Sequence, residues 1–151
     1  MVYRVAATHT VQFLEAVDIF QGLPERDLER VAALCQGWDF SEGDCLGVQN
    51  EPGSRLYIVR EGEVTATHES PEASVVVRTM KPYEAFPVAV LFDPPLLVTT
   101  THAATPGSGL VIPRAQLREL FELEPRVGMH VYRAVCGILA GRYRYTLERF
   151  A

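Results

Sequence analysis

Leu56-Tyr57-Ile58-Val59-Arg60-Glu61-Gly62-Glu63-Val64-Thr65-Ala66-Thr67 consists of two runs of β-branched, aromatic and aliphatic residues around a charged, glycine-centred break. That is the pattern of a β-hairpin. Similar runs follow at Val75-Val76-Val77, Val98-Thr99-Thr100-Thr101 and Leu110-Val111-Ile112, punctuated by Gly and Pro. Many short strands at regular spacing imply an all-β sandwich or barrel, which closes or covers its edges.

The flanks have a different texture. Leu28, Val31, Ala32 and Cys35 recur at helical spacing. Pro24 stands in a helix's first turn, with Glu25 and Asp27 near the positive end of the dipole. A second short helix is expected over 11–17, with 18–23 as the turn between them. Beyond the strands, Leu117, Leu120 and Phe121 mark a short helix that Glu124-Pro125 interrupts. No proline follows Pro125, so a helix of about 25 residues, roughly 37 Å, is open to the chain. The expected fold is a single α+β domain over residues 1–151. It has N-terminal helices within 10–36, an eight-stranded β-roll of double-stranded jelly-roll type at 37–113, and C-terminal helices at 114–150.

Composition narrows the function. The chain has 151 residues, 48% of them hydrophobic and 22% charged, an ordinary globular balance. Its net charge of −5 lacks the basic surplus that phosphate neutralisation demands, so no nucleic-acid partner is expected. No apolar run approaches a membrane span and no secretory signal opens the chain, so a cytoplasmic protein is expected. Cys35, Cys45 and Cys136 are odd in number and form no CxxC pair, which leaves no basis for a zinc site or disulfide framework. There is no GxSxG, no P-loop and no paired carboxylates beside a base, so neither an enzyme nor a cofactor is expected.

The order of the pieces resembles the effector domain of the CRP/FNR superfamily of cyclic-nucleotide-binding proteins. The residues that carry the resemblance are Ile19-Phe20-Gln21-Gly22-Leu23-Pro24, Phe40-Ser41-Glu42-Gly43-Asp44, the hairpin from Leu56 to Val64, and Ile112-Pro113-Arg114-Ala115-Gln116-Leu117. In that superfamily a phosphate-binding cassette captures the cyclic phosphate on backbone amides at a short helix, with a Glu on the ribose and an Arg on the phosphate. The aligned segment here is Tyr83-Glu84-Ala85-Phe86-Pro87-Val88-Ala89, followed by Leu97-Val98-Thr99.

The resemblance puts Pro87 in the Gly slot, Val88 in the Glu slot, Leu97 and Val98 in the slots of Arg and a small hydroxyl residue, and Tyr83 in place of a glycine. Proline removes an amide donor, valine offers ribose no acceptor, and an uncompensated buried phosphate costs at least several kcal/mol. Cyclic-nucleotide binding in the usual mode is therefore not expected. Thr146 matches the threonine that touches the purine in family members that bind cAMP, and a solvated threonine is the plainer reading of it.

Two alternatives stay open: a module kept for its fold and for protein contacts, or a pocket converted to an apolar ligand. A working cAMP or cGMP receptor is the rival to both. His9, His68, His102 and His130 form no His-x-His pair, so no metal site is expected. Haem on a lone histidine, known in some family members, stays open. Arg126, Arg133, Arg142, Arg144 and Arg149 read as a solvated face of the last helix. The resemblance implies a homodimer through that helix, along Val131, Ala134, Val135, Ile138, Gly141 and Tyr145. After it the transcription factors place a helix-turn-helix domain; Arg149-Phe150-Ala151 supply no such element, and no DNA-binding domain is expected.

Overall fold

The computed structural model describes residues 1–150. In chain order the elements are β1 (Val2–Tyr3), α1 (Ala7–Leu14), α2 (Glu25–Ala32), β2 (Gln36–Phe40), β3 (Cys45–Gly47), β4 (Arg55–Glu61), β5 (Val64–Glu69) and β6 (Ser74–Met80). Then come β7 (Ala85–Phe86), a 3₁₀ turn (Val88–Leu91), β8 (Thr100–Ala103), β9 (Gly107–Pro113), α3 (Arg114–Leu123) and α4 (Pro125–Glu148).

The strands form two antiparallel sheets, ordered β1-β2-β9-β4-β7 and β3-β8-β5-β6. β4 and β9 lie inside the first sheet, and the unbroken apolar runs that mark them have a physical cause. Leu56 and Ile58 on β4, with Leu110 and Ile112 on β9, face the helices in one core that includes Leu14, Phe20, Val31 and Leu117. Tyr57, Val59 and Val111 point the other way, into the interior of the roll with Trp38, Phe40, Val64, Met80 and Phe86. A strand covered on both faces cannot alternate polar and apolar residues. Gly62 turns the β4–β5 hairpin at φ +100°, a conformation that side chains other than glycine rarely adopt.

The α+β roll with a long C-terminal helix is present as expected, and the break between α3 and α4 falls at Glu124, with Pro125 opening α4. Several boundaries moved. β2 to β9 are the eight strands of the roll, and a ninth, two-residue strand at Val2–Tyr3 pairs with β2. β8 begins at Thr100, so Val98 and Thr99 lie in the irregular segment before it. α1 runs Ala7–Leu14 rather than over 11–17, because its first turn is polar and carries no apolar period, while residues 15–17 form a turn that buries Val17 and leaves Glu15 and Ala16 exposed. None of the helices among the described residues is long and apolar enough to cross a membrane.

Cys35 is buried at the end of the α2 segment, where its thiol donates to the Val31 carbonyl and burial pushes its pKa up to about 12. Cys45 is exposed. Alkylation followed by peptide mass mapping should therefore modify Cys45 in the native protein and Cys35 only in denaturant. Equal labelling rates would contradict this packing.

Candidate ligand-binding cleft

The segment from residue 83 to 99 is held from both ends of the chain. Tyr83 lies in the left-handed region at φ +71°, with its ring stacked on Phe13 at 4.9 Å. Its amide donates to the Val59 carbonyl, and its own carbonyl accepts from the Asp18 amide at 3.0 Å. One oxygen of the Asp18 carboxylate accepts from the amides of Ile19 (2.8 Å) and Ala85 (3.2 Å). Burial raises the Asp18 pKa, while those two amides pull it down. β7 then pairs with β4, Tyr57 opposite Phe86.

The 3₁₀ turn that follows is pinned by its own buried side chains, Val90 and Leu91. Its carbonyls are claimed by the C-terminal helices. Arg114 Nε donates to the Val90 carbonyl at 2.7 Å, another Arg114 nitrogen donates to the Phe92 carbonyl at 3.2 Å, and the Tyr132 hydroxyl donates to the Leu91 carbonyl. Arg118 and Arg114 together bind the Asp93 carboxylate and hold its pKa below the usual range.

Between this segment, β6 and the second half of α4 lies a cleft of about 1340 Å³. Its walls are largely apolar, built from Val75, Val76, Val77 and Met80 on β6, from Phe86, Pro87, Val88, Ala89 and Phe92, and from Ile138 and Leu139 on α4. Placed between a β-roll and its C-terminal helix, it is of a size and character to take a small molecule.

Residues 38–124 match the family model of the cyclic nucleotide-binding domain. The chain belongs to the cyclic nucleotide-binding domain family. Over 141 residues, 93% of its length, it is 27% identical to a CRP-like cAMP-activated global transcriptional regulator of Mycobacterium tuberculosis. It spans 61% of that protein's length. The N-terminal domain of a transcriptional regulator from Streptomyces coelicolor A3(2) is 27% identical, with a TM-score of 0.71 over 92% of this chain and 95% of that one. A cyclic nucleotide-binding domain from Methylobacillus flagellatus KT shares the fold, with a TM-score of 0.84 over 99% of this chain and 86% of that one, at 18% identity.

Within this family's framework, Phe86, Pro87, Val88, Ala89, Val98, Thr99 and, from α4, Thr146 all line the cleft. Other expected residues do not. Tyr83 sits behind it on Phe13, and Glu84 pairs with Arg78 at 2.7 Å rather than reaching inside. Leu97 is only 4% exposed and turned into the core, against the backbone of Gly47 and Gly53, so the residue aligned to the arginine slot is no part of the wall.

The expected dimer stripe also needs correction. Val131 and Val135 are fully buried in the chain's own core, Ala134 and Ile138 pack on that core, and Ile138, Gly141 and Tyr145 line the cleft. An apolar stripe on a helix is covered by whatever lies nearest, and here that is the roll.

Sequence reasoning missed the arginines. Arg78, Arg142 and Arg149 line the cleft, and among the described residues no carboxylate does. Arg142 lies one turn before Thr146 on the same helical face, a spacing visible in the sequence; Arg78 could be placed only once the face of β6 was known.

Asp18 joins the N-terminal turn to β7, which positions the cleft wall. Replacing it with alanine strands two part-buried amides, at about 1–3 kcal/mol. Asp18→Asn keeps an acceptor and should lose clearly less. Denaturant unfolding of both variants checks this; equal losses would show that the hydrogen bonds carry no weight.

Proposed function

We propose that the domain is a regulatory receptor for a small, non-nucleotide ligand with a large apolar part, taken up between the roll and α4. The observation that carries this reading is the wall itself. Pro87 and Val88 face the cleft where the family resemblance looks for an amide donor and a ribose-binding carboxylate, and their neighbours Phe86, Phe92 and Val98 extend the hydrocarbon surface. The domain acts by binding rather than by catalysis. Its output element is α4, since Leu91 and Val90 are bonded directly to Tyr132 of α4 and to Arg114 of α3. A ligand that displaces residues 86–92 therefore pulls on both helices.

A second reading, a cAMP or cGMP receptor of unusual mode, draws support from Arg142 and Thr146, which share the cleft-facing side of α4. Val88 speaks against it, because desolvating a ribose hydroxyl without an acceptor is unfavourable. Titration calorimetry with cAMP and cGMP separates the two. No saturable heat at concentrations up to about 1 mM, an affinity weaker than roughly −4 kcal/mol, is expected. Micromolar affinity would overturn the proposal.

The domain is further proposed to act as a homodimer through the outer face of α4. Met129, Arg133, Cys136, Ala140, Tyr143 and Leu147 are exposed and alternate at spacings of four and three residues, the repeat of a two-helix coiled-coil seam. In a parallel symmetric pair each residue of the seam meets its own copy. Mild oxidation should then give a disulfide-linked dimer that Cys136→Ser abolishes while leaving the unoxidised dimer intact in sedimentation. A monomer throughout would refute the pairing.

A further inference from the structure

We propose that the ligand is an amphiphilic acid, a long-chain aliphatic carboxylate, whose head group lies between Arg78 and Arg142 while its chain runs along the apolar wall. This rests on the receptor reading above and makes it specific.

The cleft is cationic in a chain whose net charge is −5, so its sign is a local property. All three of its charged side chains are arginines. Two of them have unused capacity. Arg78 gives one nitrogen to Glu84, yet its Nε is buried without a partner. Arg142 makes no ion pair among the described residues, and its Nε is likewise buried and unpartnered.

The groups around Arg142 explain why it stays unpaired. Burial lowers its pKa most, Arg78 lowers it further by like-charge repulsion, and Glu84 and Asp18 compensate only from a distance. Glu84 is committed to Arg78, and the facing Asp18 oxygen to two backbone amides. Two guanidiniums that repel each other across a low-dielectric wall, each with a free donor, form a site for one shared carboxylate.

The remaining wall rules the shape of the ligand. Val76, Val88, Phe92, Val98 and Leu139 present hydrocarbon with no carboxylate to accept a sugar hydroxyl. An aliphatic chain buries no polar group by lying there, whereas a polyhydroxylated body would leave its donors unpaired. Arg149 is engaged with the hydroxyl and ring of Tyr145 and is less available to a ligand.

The test uses the full chain and displacement of the dye 1-anilinonaphthalene-8-sulfonate by sodium dodecanoate, dodecanol or cAMP, all below micelle-forming concentrations. Dodecanoate should displace the dye at concentrations at least about tenfold lower than dodecanol. Arg142→Gln and Arg78→Gln should each weaken dodecanoate about 10- to 100-fold and leave dodecanol within about twofold. The comparison of acid with alcohol in the unmodified protein does not depend on how the variants fold. Equal displacement by acid and alcohol would overturn the head-group site while the apolar receptor stands. Displacement by cAMP alone would overturn both, and displacement by none of the three would overturn the proposed ligand class.

Discussion

Val127, Val131 and Val135 press the first half of α4 into the same core as Ile58, Ile112 and the 88–91 turn. The geometry of the cleft depends on that contact. Because the helix is anchored at its start, its last turns, beyond Leu139, leave the core and overhang β6 and the apolar segment. A fully buried valine contributes about 1.5–3 kcal/mol of apolar burial, so three in a row hold the helix firmly. Past Val135 no residue of the helix is fully buried, and only Ile138 and Leu139 still pack on the core.

The polar contacts at this junction add direction. Arg114 and Tyr132 are bonded to backbone carbonyls rather than to side chains, so they report where the 88–92 backbone is, whatever its side chains are. Side-chain substitutions in the wall leave these backbone acceptors in place. On the opposite side α4 carries the exposed, regularly spaced stripe from Met129 to Leu147, and a shift of the helix toward or away from the cleft would alter that surface too.

The fold was legible because its two signals are strong and distinct. Continuous apolar runs marked β4 and β9, which are covered on both faces, and the period of 28, 31, 32 and 35 marked α2. β3 and β7, at three and two residues, are too short to leave a pattern, and β1 is held by pairing that no local sequence encodes. In the site, order along the chain picked out residues 86–89, 98 and 99, which line the cleft. It failed at Leu97, because matching a residue to a slot says nothing about which way its side chain turns. It failed again on α4, where the helix has two apolar stripes. The more conspicuous one, through Val131 and Val135, belongs to the core, and the outer one, with Cys136 and Ala140, is exposed and broken by Arg133. The arginines looked like a solvated face since their companions on β6 are far away in sequence.

The most direct test of an apolar, nucleotide-excluding wall at Pro87 and Val88 is a crystal structure of the domain grown with saturating cAMP. The expected density shows Val88, Val98 and Thr146 facing a cleft that holds no nucleotide. A cyclic phosphate seated against residues 87–89, with its ribose beside Val88, would contradict the account at its foundation.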